Sequence, residues 1–319
     1  MSGNNNELVT KTLARAKRKM TLKIIKIVLV CFLVLMILLS MPRILQMTQR
    51  GRIEIARNEV IMIEQFMNPM KVKGYSTQIG SNGFKLPIKL FLLSDVGNGS
   101  ITKVTTEKEC NYNLLSGKLE YHYPYGSLFL HQNSYNEFDT KYHDYINDRI
   151  NGNIKTLNKN KDNTVSLINI SFMESIELKK LFSNLEYYDL EINFYAVETG
   201  YENSKPENIW FGSQQHYTFG IPSELVNVEN IFSPIKLSET SLDEYLDLIS
   251  DTYAVTIEDQ KLIKGDKTLL NNDILQLLNN KELMVYGVQL NGPTSELLRF
   301  IEDYEVLSIE IQGMDFWSW

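Results

Sequence analysis

Metal and redox chemistry have little to work with in this chain. It holds two cysteines and four histidines in 319 residues. Cys31 lies in the most apolar stretch and Cys110 far downstream in "EKECNYN". If they fall in different compartments they cannot pair, and Cys110 is then a lone thiol. His122, His131, His143 and His216 show no ligand spacing, and no Cys/His grouping resembles a zinc site. No metal and no cofactor is expected. Nucleophile elbows, Walker loops, zinc-protease helices and dinucleotide fingerprints are all missing. The closest approach to a phosphate loop, "DVGNGS" at Asp95–Ser100, reads as a turn. Asp243, Glu244, Asp247, Asp251, Glu258 and Asp259 form an acidic run that reads as solvated helix face. The spacing of a glycan-cleaving carboxylate pair is set by the fold and leaves no trace in sequence. The expectation is that the chain is not an enzyme.

Basic residues are scarce over most of the chain, and their absence there excludes another class. Residues 1–52 carry ten Lys and Arg against one acid, Glu7, so the net charge of −7 leaves −16 on residues 53–319. Phosphate contacts need Lys and Arg, so the acidic body is not a nucleic-acid binder. The basic leader surrounds the clearest physical signal, "IIKIVLVCFLVLMILLSMP". From Ile27 to Met41 only Ser40 is polar. Counted from Ile24, with Lys26 reaching to the headgroups, the run approaches the ~17–20 residues of a spanning helix. Pro42 is expected to end it. A signal peptide shares the basic front and apolar middle, but "LLSMPR" offers no small-x-small cleavage site. An uncleaved anchor over 24–42 is therefore expected. Seven bases precede the uncharged run from Ile27 and three follow the anchor, which predicts a cytoplasmic tail over 1–23 and an extracytoplasmic body from 43 onward.

The body reads as α+β. "RIEIARNEVIMIEQFM" repeats Ile53, Ala56, Val60, Ile63 and Met67 at helical spacing, as a helix leaving the membrane or a short strand-prone stalk. Asn68-Pro69 and Gly74 close it. "GFKLPIKLFLLSDV" alternates like strand, and "NLLSGKLEYHYPYGSLFL" reads as an aromatic hairpin, with "HYPYG" more simply a half-buried strand face than a ligand platform. Residues 43–150 make a first region. The polar run 151–164, "NGNIKTLNKNKDNT", reads as a linker, with a second domain over 165–319. There, "VSLINISFMESIELKKLFSNLEYYDLEINFYAV" and "LMVYGVQLNGPTSELLRFIEDYEVLSIEIQGMDF" both read strand–helix–strand. Ser171 and Glu174 have capping-box spacing, and Gly292-Pro293-Thr294 reads as a helix start with Pro preset for the first turn. An offset of 119 matches Glu177-Leu178 with Glu296-Leu297 and Leu190-Glu191-Ile192 with Ile309-Glu310-Ile311. Duplication and coincidence of common residue types both account for that. Between the units, Leu242, Tyr245, Leu246 and Ile249, then Ile274, Leu277 and Leu278, mark two helices. The expected fold is an α+β body with helices on one face of a sheet, ferredoxin-like in packing.

A short tail, one anchor, "NEVIMIEQFMNPMKVKGYS", the late "VYGVQLNGPTSELLRFIED" and the closing "DFWSW" together resemble the sigma-factor regulator family of Firmicutes, which are membrane anti-sigma factors. The resemblance runs from about Leu22 to Trp319. Its most specific positions are Tyr286, Gly287, Gly292, Pro293, Thr294, Leu297, Trp317 and Trp319. It implies a negative regulator holding an extracytoplasmic-function sigma factor at the membrane until an envelope signal releases it. In the tail, Leu8, Val9, Leu13, Ala16 and Met20 can form one stripe for a partner's groove. Lys17-Arg18-Lys19 suit topology and anionic lipid. A second membrane regulator is a further expected partner, because so short a tail is not a folded domain. Two other readings stay open: an envelope module that binds wall polymer or peptide, and a wall-acting enzyme. Phe316, Trp317 and Trp319 are expected to plug the core, beside Trp210.

Overall fold

The computed structural model describes residues 3–77, 83–96, 102–120, 129–136, 138–200, 218–227, 230–260 and 272–316. It opens with one long helix, α1 (Gly3–Thr48), and a second, α2 (Arg50–Met67), joined through Gln49. The stretch Arg15–Thr48 is long and apolar enough to cross a membrane, and its most apolar window is unburied. Pro42 does not end the helix, as the sequence predicted, but lies inside it. A proline costs one i→i−4 bond and a ring clash, and here the helix continues past it.

A four-stranded antiparallel meander follows: β1 (Lys71–Thr77), β2 (Lys85–Val96), β3 (Thr102–Asn113) and β4 (Lys118–Glu120), in that order. Its inner face, with Val72, Leu86, Ile88, Leu90, Leu92, Cys110 and Tyr112, packs on Ile53, Ala56, Val60 and Ile61 of α2. Then come α3 (Gln132–Asn136) and α4 (Thr140–Lys159). The run 151–164 is thus no linker over most of its length. Ile146, Ile150, Ile154 and Leu157 recur at helical spacing beneath the polar residues, and Leu157 is buried in the main core. Asp139 caps the helix by accepting from Tyr142 N at 2.9 Å.

The remaining elements are β5 (Thr164–Glu177), α5 (Leu178–Leu185), β6 (Glu191–Val197), β7 (Gly220–Pro222), β8 (Glu224–Asn227), β9 (Asn230–Lys236), α6 (Leu242–Gln260), α7 (Asn272–Asn280), β10 (Met284–Pro293), α8 (Thr294–Asp303) and β11 (Val306–Phe316). Both strand–helix–strand units are present, and they interleave. The antiparallel sheet runs β11-β5-β10-β6-β7, so the second strand of each unit lies beside the first strand of the other. Helices from outside the units also pack on this sheet. One sheet face, with Ile168, Ile170, Phe172, Tyr195, Val197, Val288, Leu290 and Ile309, shares a core with residues of α2, α4, α5, α6, α7 and α8.

Details of the helix starts differ from expectation. Ser171 and Glu174 lie in β5, and α5 begins only at Leu178. The working capping box is elsewhere: Ser241 N donates to Glu244 Oε2 and Glu244 N to Ser241 Oγ, both at 3.3 Å. Pro293 occupies the cap position of α8 with an extended ψ of 130°, one residue earlier than the first turn. The helices begin 116 residues apart, not 119, so the matched Glu-Leu pairs occupy different helical positions.

Candidate functional site

The tail residues lie on α1. Leu13 is 59 % exposed, Met20 is 65 % exposed and Ala16 is exposed, while the side chains of Leu8 and Val9 lie outside the described residues. What continues from this helix into the body is α2, and its joint is held firmly. Gln49, between the two helices, donates through Nε2 to Leu114 O at 2.7 Å and accepts at Oε1 from the Tyr112 hydroxyl at 3.0 Å. The long apolar helix is therefore tied to the meander sheet at its C-terminal end.

From Glu59 to Met67 every residue of α2 is buried. One flank serves the meander core, while Met62, Ile63, Phe66 and Met67 enter the main core, where Phe66 stacks on Phe219 at 5.5 Å. A helix buried on all sides is ordinarily apolar. This one carries Glu59, Glu64 and Gln65. Gln65 acts as a surrogate strand: Val226 N donates to its Oε1 at 2.6 Å and its Nε2 donates to Val226 O at 3.4 Å. Glu64 pairs with Lys108 of β3 and accepts from Asn68 Nδ2 at 3.2 Å. Glu59 has no ionic or hydrogen-bond partner among the described residues, and burial pushes its pKa up from 4.5 to about 7. It lies close enough to the buried Cys110 to act on it, and that thiol is pushed up to about 12, chiefly by burial. Neither cysteine is in a disulfide. A separate clamp joins three sheets: Lys71 on β1 reaches Glu224, on β8 of the two-stranded β8-β9 ribbon, at 3.0 Å and Glu191, on β6 of the five-stranded sheet, at 3.4 Å. These residues carry no motif. The one sequence signal was a carboxylate, Glu59 or Glu64, inside an apolar helical run.

The motif positions turn out to be packing positions. A Cβ on Gly287 would fall 2.5 Å from Phe129 Cδ1 and 2.9 Å from Ile170 O, and one on Gly292 would fall 2.8 Å from Leu190 Cδ2. Glycine is needed at both because neighbours occupy the side-chain space. Tyr286 is buried against His131, with ring centroids 5.0 Å apart. Thr294 is fully buried, its Oγ1 2.8 Å from both Thr164 Oγ1 and Ser166 Oγ. Leu297 belongs to the main core. Tyr286 and Gly287 thus serve one end of β10, and Gly292, Pro293 and Thr294 the other. Trp210, Trp317, Trp319 and the "HYPYG" segment lie outside the described residues. Phe316 does not plug the core: it ends β11 opposite Thr164 and is 73 % exposed.

The second sheet face holds the small apolar cluster of Phe129, Phe194, Ala196 and Tyr286 and, beside it, a run of buried polar side chains. Asn193 Nδ2 donates to Gln289 Oε1 at 3.2 Å, and Gln289 Nε2 donates to Asn169 Oδ1 at 2.9 Å. The ladder runs across three strands, with Asn169 Nδ2 and Asn193 Oδ1 left without partners among the described residues. Nearby, Asn133 N donates to His131 Nδ1 at 3.2 Å, which places the proton of the neutral ring on Nε2, facing Glu198 Oε1 at 3.1 Å. The His131 contact and the Ser175 hydroxyl together hold the Glu198 carboxyl below its ordinary range, against burial. Ser175 donates to Glu198 and not to His131, so the Ser–His–carboxylate order of acyl transfer is not made here. Among the described residues no group of three or more His, Cys, Asp or Glu is placed to hold a metal ion.

Residues 157–312, from the last turn of α4 into β11, match the family model described as sigma factor regulator C-terminal, over just under half of the chain. Comparison with curated proteins and with solved structures returned no match.

Proposed function

We propose, from the match of residues 157–312 to the sigma factor regulator C-terminal family model, that the chain is a membrane-anchored anti-sigma factor, a negative regulator of an extracytoplasmic-function sigma factor. That family is regulatory rather than catalytic. The tail 1–23 lies in the cytoplasm, by the excess of basic residues before the apolar run. Leu8, Val9, Leu13, Ala16 and Met20 offer the sigma factor one helical stripe, and Lys17-Arg18-Lys19 contact anionic lipid. A second membrane regulator shares the inhibition. The body senses outside the membrane.

The observation that carries this reading is mechanical continuity. One helix spans tail and anchor, and its successor begins after a single residue and is built into both cores. A change in how those cores grip α2 has a direct route to α1 through Gln49. Deleting the gene should raise one sigma regulon, and the tail with its anchor should retain the sigma factor on affinity capture. An unchanged regulon sinks the proposal and leaves the envelope-binding module as the better account. Cytoplasmic activity of a C-terminal reporter sinks the topology alone.

A further inference from the structure

A cleft of about 530 Å³ opens between α5 with its following turn and the end of α8. That volume is within the ~300–1,000 Å³ of small-molecule sites. It is lined by Ile176, Lys180, Asn184 and Asp303 with three tyrosines, Tyr187, Tyr188 and Tyr304. Folding explains two of the rings. Tyr304 stacks on Phe300 at 4.4 Å, and its oxygen accepts from Asn184 Nδ2 at 3.1 Å. Tyr188 meets Phe300 edge-on at 5.3 Å, donates to Asp303 Oδ2 at 2.6 Å and carries the Arg299 guanidinium over its ring at 4.5 Å. Folding does not explain Tyr187, which is 79 % exposed at the rim.

The hydrogen-bond ledger of the cleft is mixed. The Tyr304 hydroxyl accepts from Asn184 and keeps its own proton to give. Lys180 has no partner among the described residues and is a donor. Asp303 Oδ1 and Asn184 Oδ1 remain acceptors. A phosphate or carboxylate ligand would meet Asp303, and a cationic peptide would meet Lys180. Hydroxyl groups donate and accept at once and suit both, while a pyranose ring offers an apolar face to an exposed aromatic. We infer that this cleft, with Tyr187 as a stacking platform and Lys180, Asn184 and Asp303 as polar contacts, is a binding site for a neutral saccharide. Its pinned rings are pre-organised, which lowers the ordering cost of binding. The biological role of such a site rests on the body lying outside the membrane, but the binding itself does not.

The test uses the full chain in lipid nanodiscs. Neutral oligosaccharides of gluco, N-acetylgluco, galacto and manno configuration, and separately a polyanionic glycerol-phosphate polymer, are titrated by calorimetry, with insoluble wall glycan in a parallel sedimentation arm. Saturable binding should appear for at least one configuration. Tyr187→Ala should weaken it about 3- to 10-fold, the worth of one aromatic contact, and Tyr187→Phe should restore it. Tyr187 is exposed, so an unfolded variant is not the explanation, and an unchanged unfolding midpoint verifies that. Binding of soluble sugar alone assigns a free saccharide, and binding in both arms assigns a polymer. No saturable binding at millimolar sugar, binding indifferent to Tyr187→Ala, or binding of a polyanionic glycerol-phosphate polymer alone each overturns the inference. None of these outcomes touches the regulon test, so the two readings fail separately.

Discussion

Glu59 offers the most direct test of how α2 is set into the body. The residue is 6 % exposed, its carboxyl has no partner among the described residues, and burial raises its pKa from 4.5 to about 7. In the unfolded chain the group ionises near its ordinary value, so the folded state holds the proton more tightly. The sign follows from linkage. Below about pH 4.5 the group is protonated in both states and carries no penalty. Between about pH 4.5 and 7 the unfolded chain gives up its proton first, and folding stability falls as pH rises. Above about pH 7 the loss is complete and constant. A displacement of about 2.5 pKa units corresponds to about 3 kcal/mol at 1.36 kcal/mol per unit. Glu59→Gln keeps the shape and removes the ionisation. Near pH 8 the variant should be more stable than the parent by about 2–3 kcal/mol, or roughly 5–10 °C in midpoint for a body of this size. Near pH 4.5 the two should nearly coincide. The assay is urea and thermal unfolding of the full chain in non-ionic detergent, followed by circular dichroism. Comparing parent with variant cancels the other titrating groups around the site, Glu64, Lys108, Glu109 and Cys110 among them. Parallel pH profiles would refute the reasoning. So would a variant less stable near pH 8, since that requires a partner stabilising the carboxylate.

Gly287→Ala would place a methyl 2.5 Å from Phe129; about 1–3 kcal/mol of lost stability is expected from this overpacking, read as a lower urea midpoint. Gln289→Ala would strand the Asn169 carbonyl and the Asn193 amide in a buried face, with an expected loss of about 1–3 kcal/mol for each unsatisfied group. A midpoint unchanged from the parent in either variant would show that the face relaxes or takes up water.

Period and apolarity were legible in the chain, and they carry most of the architecture. The unburied α1, the helical run of α2, both strand–helix–strand units and the two helices α6 and α7 all announce themselves by spacing. Where polar residues mask the period, reading by composition fails. The segment 151–164 holds Ile154 and Leu157 on the buried side of α4, yet its Asn and Lys content reads as loop. Pro42 fails for the opposite reason: one residue's local preference is outweighed by the helical run on either side. The motif glycines were visible as letters, but their cause was not. Phe129 and Leu190 come from distant parts of the chain to fill the space over them.

The sites argued above depend on contacts that no spacing encodes. Lys180 and Asn184 meet Asp303 and Tyr304 only because β10 lies between β5 and β6, which brings the ends of α5 and α8 together. Glu59 reads as one more helix-face charge until two sheets close around α2. The sequence by itself determined the apolar N-terminal helix, the uneven charge, the α+β class and the resemblance to sigma-factor regulators, because each is a local or summed property of residues. Only the tertiary structure decided which charges lose water, which glycines are crowded and which rings form a cleft. Desolvation, close approach and concavity arise between segments far apart in the chain, so they exist only after it has folded.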